Sequence, residues 1–275
     1  MMKRLPLDRI LSYILMAIAG LVMIMPFYFM IVTSFKKPSE AASLSISLFV
    51  KEPTLQAYRD LLQGLPYLQF MSNSLIVAIA TTAGTMFFCT LAGYAFSKHR
   101  FPGREKIFAA ILATMMVPGS VLLVPSFLLM RDFGWLNTYL PLIVPSLAGA
   151  FGIFLSRQFI DTIPDDLLDA ARIDGCSDFR IYWNIILPLS KPLLATLGIL
   201  TFLWSWNRFL DALIYIFDEK LYTLPLGISL LQGRFVFNEN IQMAGAALAI
   251  IPVLIIFFIL QKQIVKSLST TGLKG

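Results

Sequence analysis

"DAARIDGCSDFRIYWNIILPLSKP", residues 169–192, sets Asp169, Asp174 and Asp178 beside Arg172, Arg180 and Lys191 in a chain that is otherwise mostly apolar. Of 275 residues, 57% are hydrophobic and 14% charged, a balance that belongs in a bilayer rather than in a soluble domain. A polar segment of this length must therefore sit at the water. Just upstream, Pro164 followed by Asp165 and Asp166 suits the first turn of a helix, where a missing N–H costs nothing and acids meet the positive end of the dipole. Leu167, Leu168 and Ala171 recur at helical spacing and form a narrow apolar face, while Asp165, Asp169 and Arg172 point elsewhere. Gly175 is placed as a stop that accepts positive φ. Ser177 then caps a second helix through Phe179, Ile181, Tyr182 and Ile185 to Leu187 and Pro188. Residues 163–188 thus read as helix, glycine turn, helix. Periodicity alone leaves two roles open: a hairpin lying on lipid headgroups, or a short helix seated in a groove of a soluble partner.

Around this hairpin, charges bound long apolar runs, each comparable with the roughly 20 residues that cross a hydrocarbon core. Six spans are expected, over residues 10–35, 73–96, 107–130, 133–156, 192–217 and 240–261. The fold class is therefore all-α and integral to the membrane, with 1–275 as one transmembrane domain. The opening "MMKR" resembles the start of a signal peptide, but the run behind it is too long and lacks a nearby small-residue cleavage site, so a retained helix is expected. With both termini in the cytoplasm, the inner segments hold most of the basic residues: Lys3, Arg4, Arg9, Lys98, Arg100, Arg104, Lys106, Arg157, Arg172, Arg180, Lys191, Lys262, Lys266 and Lys274. Lys36 and Lys37, at the outer end of the first span, run against that rule. The basic balance reads as topology and lipid contact, not as nucleic-acid binding. Cys89 falls inside a span and Cys176 in the hairpin, so no disulfide is expected. The lone His99, in "SKHRFPGRE", has no second histidine with which to make a metal or proton-relay site.

The hairpin resembles the EAA motif of ABC-importer permeases. The matching residues are Asp169-Ala170-Ala171, Asp174-Gly175 and Ile185-Ile186-Leu187-Pro188, and the likeness extends to "NSLIVA" at 73–78, "YAFSKHRFPGR" at 94–104, "WSWNRFLDALI" at 204–214 and "GLKG" at 272–275. Over nearly the whole chain the resemblance is to the shorter permease of maltose-type carbohydrate importers of the bacterial plasma membrane. Two positions depart from the pattern: Asp169 replaces the usual Glu and is a methylene shorter, and Cys176 stands where Ala is common.

The resemblance implies one half of a heterodimeric channel. A second permease subunit would complete it, an extracytoplasmic solute-binding protein would deliver a sugar or sugar-like solute, and two ATPase subunits would engage the hairpin. Leu167, Leu168, Asp169, Ala170, Ala171, Asp174, Gly175, Leu187 and Pro188 become the ATPase-coupling residues. No cofactor is expected in this chain, ATP and Mg being held by the partner ATPase, and no enzymatic activity is expected of it. The sequence has no G-x-x-x-x-G-K-[ST] loop to cradle nucleotide phosphates.

For the solute path the residues themselves must speak. Ionisable groups at membrane depth are costly, so Arg208 and Asp211, at i and i+3, are expected to face a cavity, a partner helix or each other. With Asn207, Trp204 and Trp206 they offer planar polar groups and aromatic faces suited to sugars; interfacial aromatics and an inter-subunit ion pair are the plainer alternative. Asn73, Ser74 and Tyr94 are further candidates. Pro118, Pro125, Pro141 and Pro145 should bend helices, and Gly84, Gly93, Gly149 and Gly152 should permit close packing. Residues 218–240 are expected to form an outer loop towards the binding protein. An ion-coupled secondary transporter is the alternative class, but only Asp211 supplies a membrane-embedded acid and no inverted repeat is visible. A membrane enzyme lacks a catalytic cluster.

Overall fold

A computed structural model describes residues 7–41, 47–234 and 238–271. Among these there is no strand. In chain order the helices are α1 (Leu7–Ser34), α2 (Pro38–Ala41), α3 (Gln56–Gly64), α4 (Tyr67–Lys98), α5 (Arg104–Ala113), α6 (Leu123–Asp132), α7 (Leu140–Ile143), α8 (Ala150–Asp161), α9 (Asp165–Ile173), α10 (Asp178–Ile181), α11 (Leu187–Leu189), α12 (Lys191–Trp206), α13 (Leu210–Tyr215), α14 (Leu224–Arg234) and α15 (Glu239–Thr271). Short 3₁₀ turns and one π turn, Tyr182–Ile186, link some of them. The basic N-terminal Lys3 and Arg4 and the "GLKG" ending lie outside the described residues.

Four segments are long and apolar enough to cross a membrane: Leu11–Ser34, Tyr67–Lys98, Leu140–Asp161 and Glu239–Gln261. Two bent pairs bring the number to six, Arg104–Met116 with Gly119–Asp132 at 91° and Asp178–Leu189 with Lys191–Trp206 at 79°. Three expected spans are thereby corrected. The third, 107–130, is broken at Val117-Pro118, because proline cannot continue the ladder and forces the residue before it into extended backbone. The fourth begins at Leu140 rather than Phe133, since Gly134 (φ +69°) and Asn137 (φ +57°) hold the preceding segment in turns. The fifth stops at Trp206, and a separate short helix, α13, follows. The expected loop at 218–240 also carries a helix, α14, that sequence reading missed.

The chain divides into two compact units, residues 1–68 with 228–251, and residues 69–227 with 252–275. In the first, none of the apolar window of α1 is buried. At its end, Ser34 Oγ meets Tyr58 Oη at 2.7 Å and the Thr54 amide donates to Phe35 O at 2.9 Å, folding the 47–64 segment back on the helix. Lys36 is buried, its Nζ donating to Ser47 O at 2.6 Å and lying 5.5 Å from the Phe29 ring centre. Lys37 pairs with Glu52. The two lysines that oppose the charge rule are thus engaged locally.

The second unit is built on α4. Its Gly93 lies against α8 so closely that a Cβ there would stand 2.4 Å from Ser156 Cβ and 2.8 Å from the Ser156 carbonyl carbon; across the same crossing, a Cβ on Gly152 would meet Cys89 Sγ at 2.6 Å. Small residues at such crossings let backbones touch where lipid offers no hydrophobic drive. Gly84 is similarly confined by Leu147, but Gly149 is not: its nearest neighbour is Ser146 O at 3.9 Å, and it simply precedes α8 in extended backbone. Further along, Asn137 accepts from the Phe217 and Asp218 amides at 3.0 and 2.9 Å, tying the α6–α7 turn to the end of α13.

Replacing Gly93 by Ala forces backbone apart and should cost about 1–3 kcal/mol, lowering Tm by roughly 3–10 °C. Gly20→Ala, where nothing lies within 4 Å, should leave Tm unchanged or raise it. Thermal unfolding of the two detergent-solubilised variants beside the parent checks both.

Candidate functional site

Two polar assemblies stand out, the 163–188 hairpin and the Arg208 cluster. In the hairpin, α9 ends in a Schellman motif: the Cys176 amide donates to Ala171 O at 2.9 Å and the Gly175 amide to Arg172 O at 3.0 Å, with Gly175 at φ +78°. Nothing lies within 4 Å of a Cβ built on Gly175, so conformation rather than space demands glycine there. Cys176 packs with Ala171 into the hairpin core, which accounts for a small apolar residue at that position. Ser177 Oγ accepts from the Arg180 amide at 3.4 Å and caps the second helix. Through the π turn that helix continues to Leu189, past Leu187 and Pro188, and buries Ile181, Tyr182 and Ile186.

The apolar face of α9 is split. Leu168 (1% exposed) and Ala171 are buried against this chain's own Ile160, Ile163, Tyr182 and Tyr94, whereas Leu167 (46%) and Ile173 (87%) are exposed. The expected common face of Leu167, Leu168 and Ala171 is therefore corrected: adjacent residues on a helix lie about 100° apart, and the core takes only one of the two leucines. The outward face carries Leu167, Ala170, Ile173 and Asp174, at the i, i+3, i+6, i+7 positions of one stripe. Asp169 is also exposed, and its carboxylate accepts from Arg172 at 2.9 Å; Arg172 in turn lies 3.7 Å from Asp178 across the glycine turn.

Lys98, at the end of α4, fixes the hairpin's entry. Its Nζ donates to Ile163 O at 2.6 Å and Asp165 Oδ1 at 2.7 Å. The bond to Lys98 and its positive charge hold the Asp165 carboxyl below the ordinary carboxylate range. Tyr94, expected on the solute path, belongs instead to this core: it is buried, with its ring 5.9 Å from Tyr182 and 5.0 Å from His99. Its large ring is what the hairpin folds onto.

Arg208 follows the end of α12. Its Nε pairs with Asp211, Nη1 donates to Leu142 O at 2.8 Å and Ser146 Oγ at 3.0 Å, and its Cζ lies 4.4 Å from the Trp204 ring centre. The pair forms across the helix break at 207–209 rather than along one continuous helix. Arg208 and Trp204 line a cavity of about 700 Å³ together with Thr85, Thr114, Ser146 and Thr201. The other expected path residues lie elsewhere. Trp206 is buried and stacked on Phe202 at 5.7 Å. Asn207 Nδ2 donates to Leu203 O at 2.8 Å, the same carbonyl that accepts from its own backbone amide at 3.2 Å. Asn73 Nδ2 donates to Lys220 O and Tyr222 O at 2.8 and 2.9 Å, and Ser74 Oγ accepts from the Leu224 amide at 2.7 Å, so both clamp the start of α14. The cavity residues Thr85, Thr114, Ser146 and Thr201 carried no sequence signal that separates them from ordinary helix threonines and serines.

A broken-helix, all-α domain with an appended helix–turn–helix is an architecture with known relatives. Residues 89–270 match the family described as binding-protein-dependent transport system inner membrane component. The chain belongs to that family. It is similar to the arabinooligosaccharides transport system permease protein AraQ of Bacillus subtilis, 35% identical over 93% of this chain and 92% of that one. It is also similar to the lactose transport system permease protein LacG of Rhizobium radiobacter, 32% identical over 97% and 96%. Among solved structures it matches a chain of a bacterial ABC transporter involved in import of the acidic polysaccharide alginate, with TM-score 0.83 and 26% identity over 95% of this chain and 99% of that one. As a member of the family, the chain is the inner-membrane permease component of an ABC importer and not an enzyme. Nothing in these relationships favours ion-coupled transport.

The depressed Asp165 pKa has a sign. Stability from the Lys98 contact is fully present above the ordinary aspartate value near 3.9 and is lost as pH falls through the lowered value. Hydrogen exchange in the first turn of α9 should be faster below about pH 4 than at neutral pH, while Lys98→Met should exchange faster there at neutral pH and lose the acid step, the buried core of α9 staying protected in both. At the second cluster, Arg208→Leu should cost about 2–4 kcal/mol by leaving Asp211 unpaired, and the R208L/D211L double variant should be more stable than R208L alone. Thermal unfolding of the set measures that coupling.

Proposed function

We propose that this chain forms one half of a heterodimeric channel that imports a sugar or oligosaccharide, received from an extracytoplasmic binding protein and driven by two ATPase subunits that carry ATP and Mg. The observation that carries this is the split face of α9. A helix whose inner residues are locked to its own permease, while Leu167, Ala170, Ile173 and Asp174 are bare, is built to be gripped from outside. Relatives named for arabinooligosaccharides, galactooligosaccharides and lactose support a carbohydrate solute. The cavity beside Trp204 and Arg208 supplies an aromatic face and hydroxyls of the kind sugars contact.

The orientation that fits places both termini and the hairpin in the cytoplasm. Lys98, Arg104, Arg157 and the hairpin's bases then lie inside, and the outer exceptions Lys36 and Lys37 are already engaged with Ser47 and Glu52. ATP binding draws the ATPase grooves together, the hairpins follow, and the channel opens outward to take solute; hydrolysis resets it.

The test is binding-protein-dependent uptake of labelled arabino-, galacto- and malto-oligosaccharides into vesicles holding the assembled importer. Uptake should be abolished by Ile173→Asp and by Gly175→Val, with folding and membrane insertion intact. Solute-stimulated ATP hydrolysis should fall with it, because the exposed stripe and the left-handed turn act at the contact rather than in the core. Full uptake in Ile173→Asp would remove the outward face from the mechanism.

A further inference from the structure

A second cavity, of about 650 Å³, opens on the other side of α12 between α4, the hairpin's second helix and α15. Its walls are apolar, from Ile79, Met86, Leu194 and Leu260, with Gly198 on the α12 side, where an added Cβ would stand at ordinary contact distance from Met86 Sδ and Leu260 Cδ1. Two other lining residues break that character, Lys191 and Trp183, and both are exposed. Lys191 opens α12, and among the described residues its ammonium has no ion pair. Trp183 adds an exposed indole to the lining, the amphipathic ring that favours the headgroup level.

We propose that this groove is a specific site for an anionic phospholipid, its acyl chain lying along α12 and its phosphate held by Lys191. Length supports this: from Lys191 to Phe202, the lining residues nearest each end of α12, the helix rises about 16 Å at 1.5 Å per residue. That is about half of a 30 Å hydrocarbon core, the depth of a single leaflet. Charge supports it as well. A free ammonium at the mouth of an otherwise apolar groove complements a phosphodiester, and the N-terminal end of a 16-residue helix adds dipole of the same sign. A protein helix filling the groove would leave Lys191 without an anion, whereas a zwitterionic lipid would bring a competing cation.

The test uses the assembled importer purified from its membrane. Native mass spectrometry should find phosphatidylglycerol or cardiolipin retained, and retention should fall about five-fold in Lys191→Ala, the usual worth of one basic residue at an anionic surface; Lys191→Arg should keep it. Lys191 is exposed, so loss of fold does not confound the result. In phosphatidylcholine vesicles, adding phosphatidylglycerol should raise the Tm of the parent and not that of Lys191→Ala. A photoreactive benzoylphenylalanine in place of the exposed Ala83, on the α4 wall, should give an adduct of phospholipid mass. An adduct to a protein chain at that position, or anionic-lipid retention equal in Lys191→Ala and parent, overturns the proposal. The importer assignment stands or falls separately, on which subunits co-purify.

Discussion

Everything in the hairpin depends on its being welded to the permease before any partner arrives. Lys98, with a side chain only 7% exposed, holds the carbonyl of Ile163 and the carboxylate of Asp165, so the last turn of α4 and the first of α9 move as one piece. Behind that clasp, Leu168, Ile181, Tyr182 and Ile186 are essentially sealed from solvent against Ile160 and Tyr94. Burying a large apolar side chain is worth about 1.5–3 kcal/mol, so several together outweigh anything the exposed Asp169–Arg172 pair adds, since exposed pairs contribute about 0–1 kcal/mol. The rigidity comes from the hidden half of the amphipathic face, and the other half stays exposed.

The Arg208 cluster solves a different problem with the same economy. A guanidinium about 17 residues, or roughly 26 Å, along from Lys191 sits close to the far edge of a 30 Å core. There it finds an acid, a carbonyl, a hydroxyl and an indole face. Satisfying it required interrupting two helices: α12 stops at Trp206, and the α7 segment supplies Leu142 and Ser146 from a proline-rich stretch that is partly 3₁₀. Irregular backbone at membrane depth is tolerated where it is buried in protein or lines a cavity, and Arg208 and Ser146 both face the 700 Å³ cavity.

Much of this was legible in the residues because the signals were local. Gly175 and Ser177 announce a turn and a cap by side-chain chemistry alone, and the structure has the positive φ and the capping bond. Apolar run length led to an expectation of six spans, against four membrane-length segments and two bent pairs in the structure, because length does not register the left-handed turns at Gly134 and Asn137 or the weight of Pro118. Tyr94 and Asn73 misled for one reason: a polar tip in an apolar helix says that a partner exists, not which one. Tyr94 faces the hairpin core and Asn73 the carbonyls of 220 and 222, about 150 positions on in sequence, and no single-sequence periodicity carries contacts of that range. The α9 stripe failed more narrowly. Two adjacent leucines, one buried and one bare, look identical until the neighbouring helix is in place.

The two assemblies are not independent. Leu197 of α12 is buried in the cluster that seats the hairpin, and it also lines the cavity below Arg208. Gly152 lines that cavity as well, on the α8 helix that Gly93 holds against α4 with no room to slide. Close-packed interiors pass displacement on rather than absorb it. A pull on the exposed stripe of α9 therefore reaches the cavity by two routes, through Leu168 and its neighbours to Leu197, and through Lys98 to α4 and its crossing with α8. Neither route requires the hairpin to deform. In the proposed cycle the packed hairpin is the arm of a lever, and the helix breaks at Val117-Pro118 and 207–209 are where the backbone ladder is already interrupted.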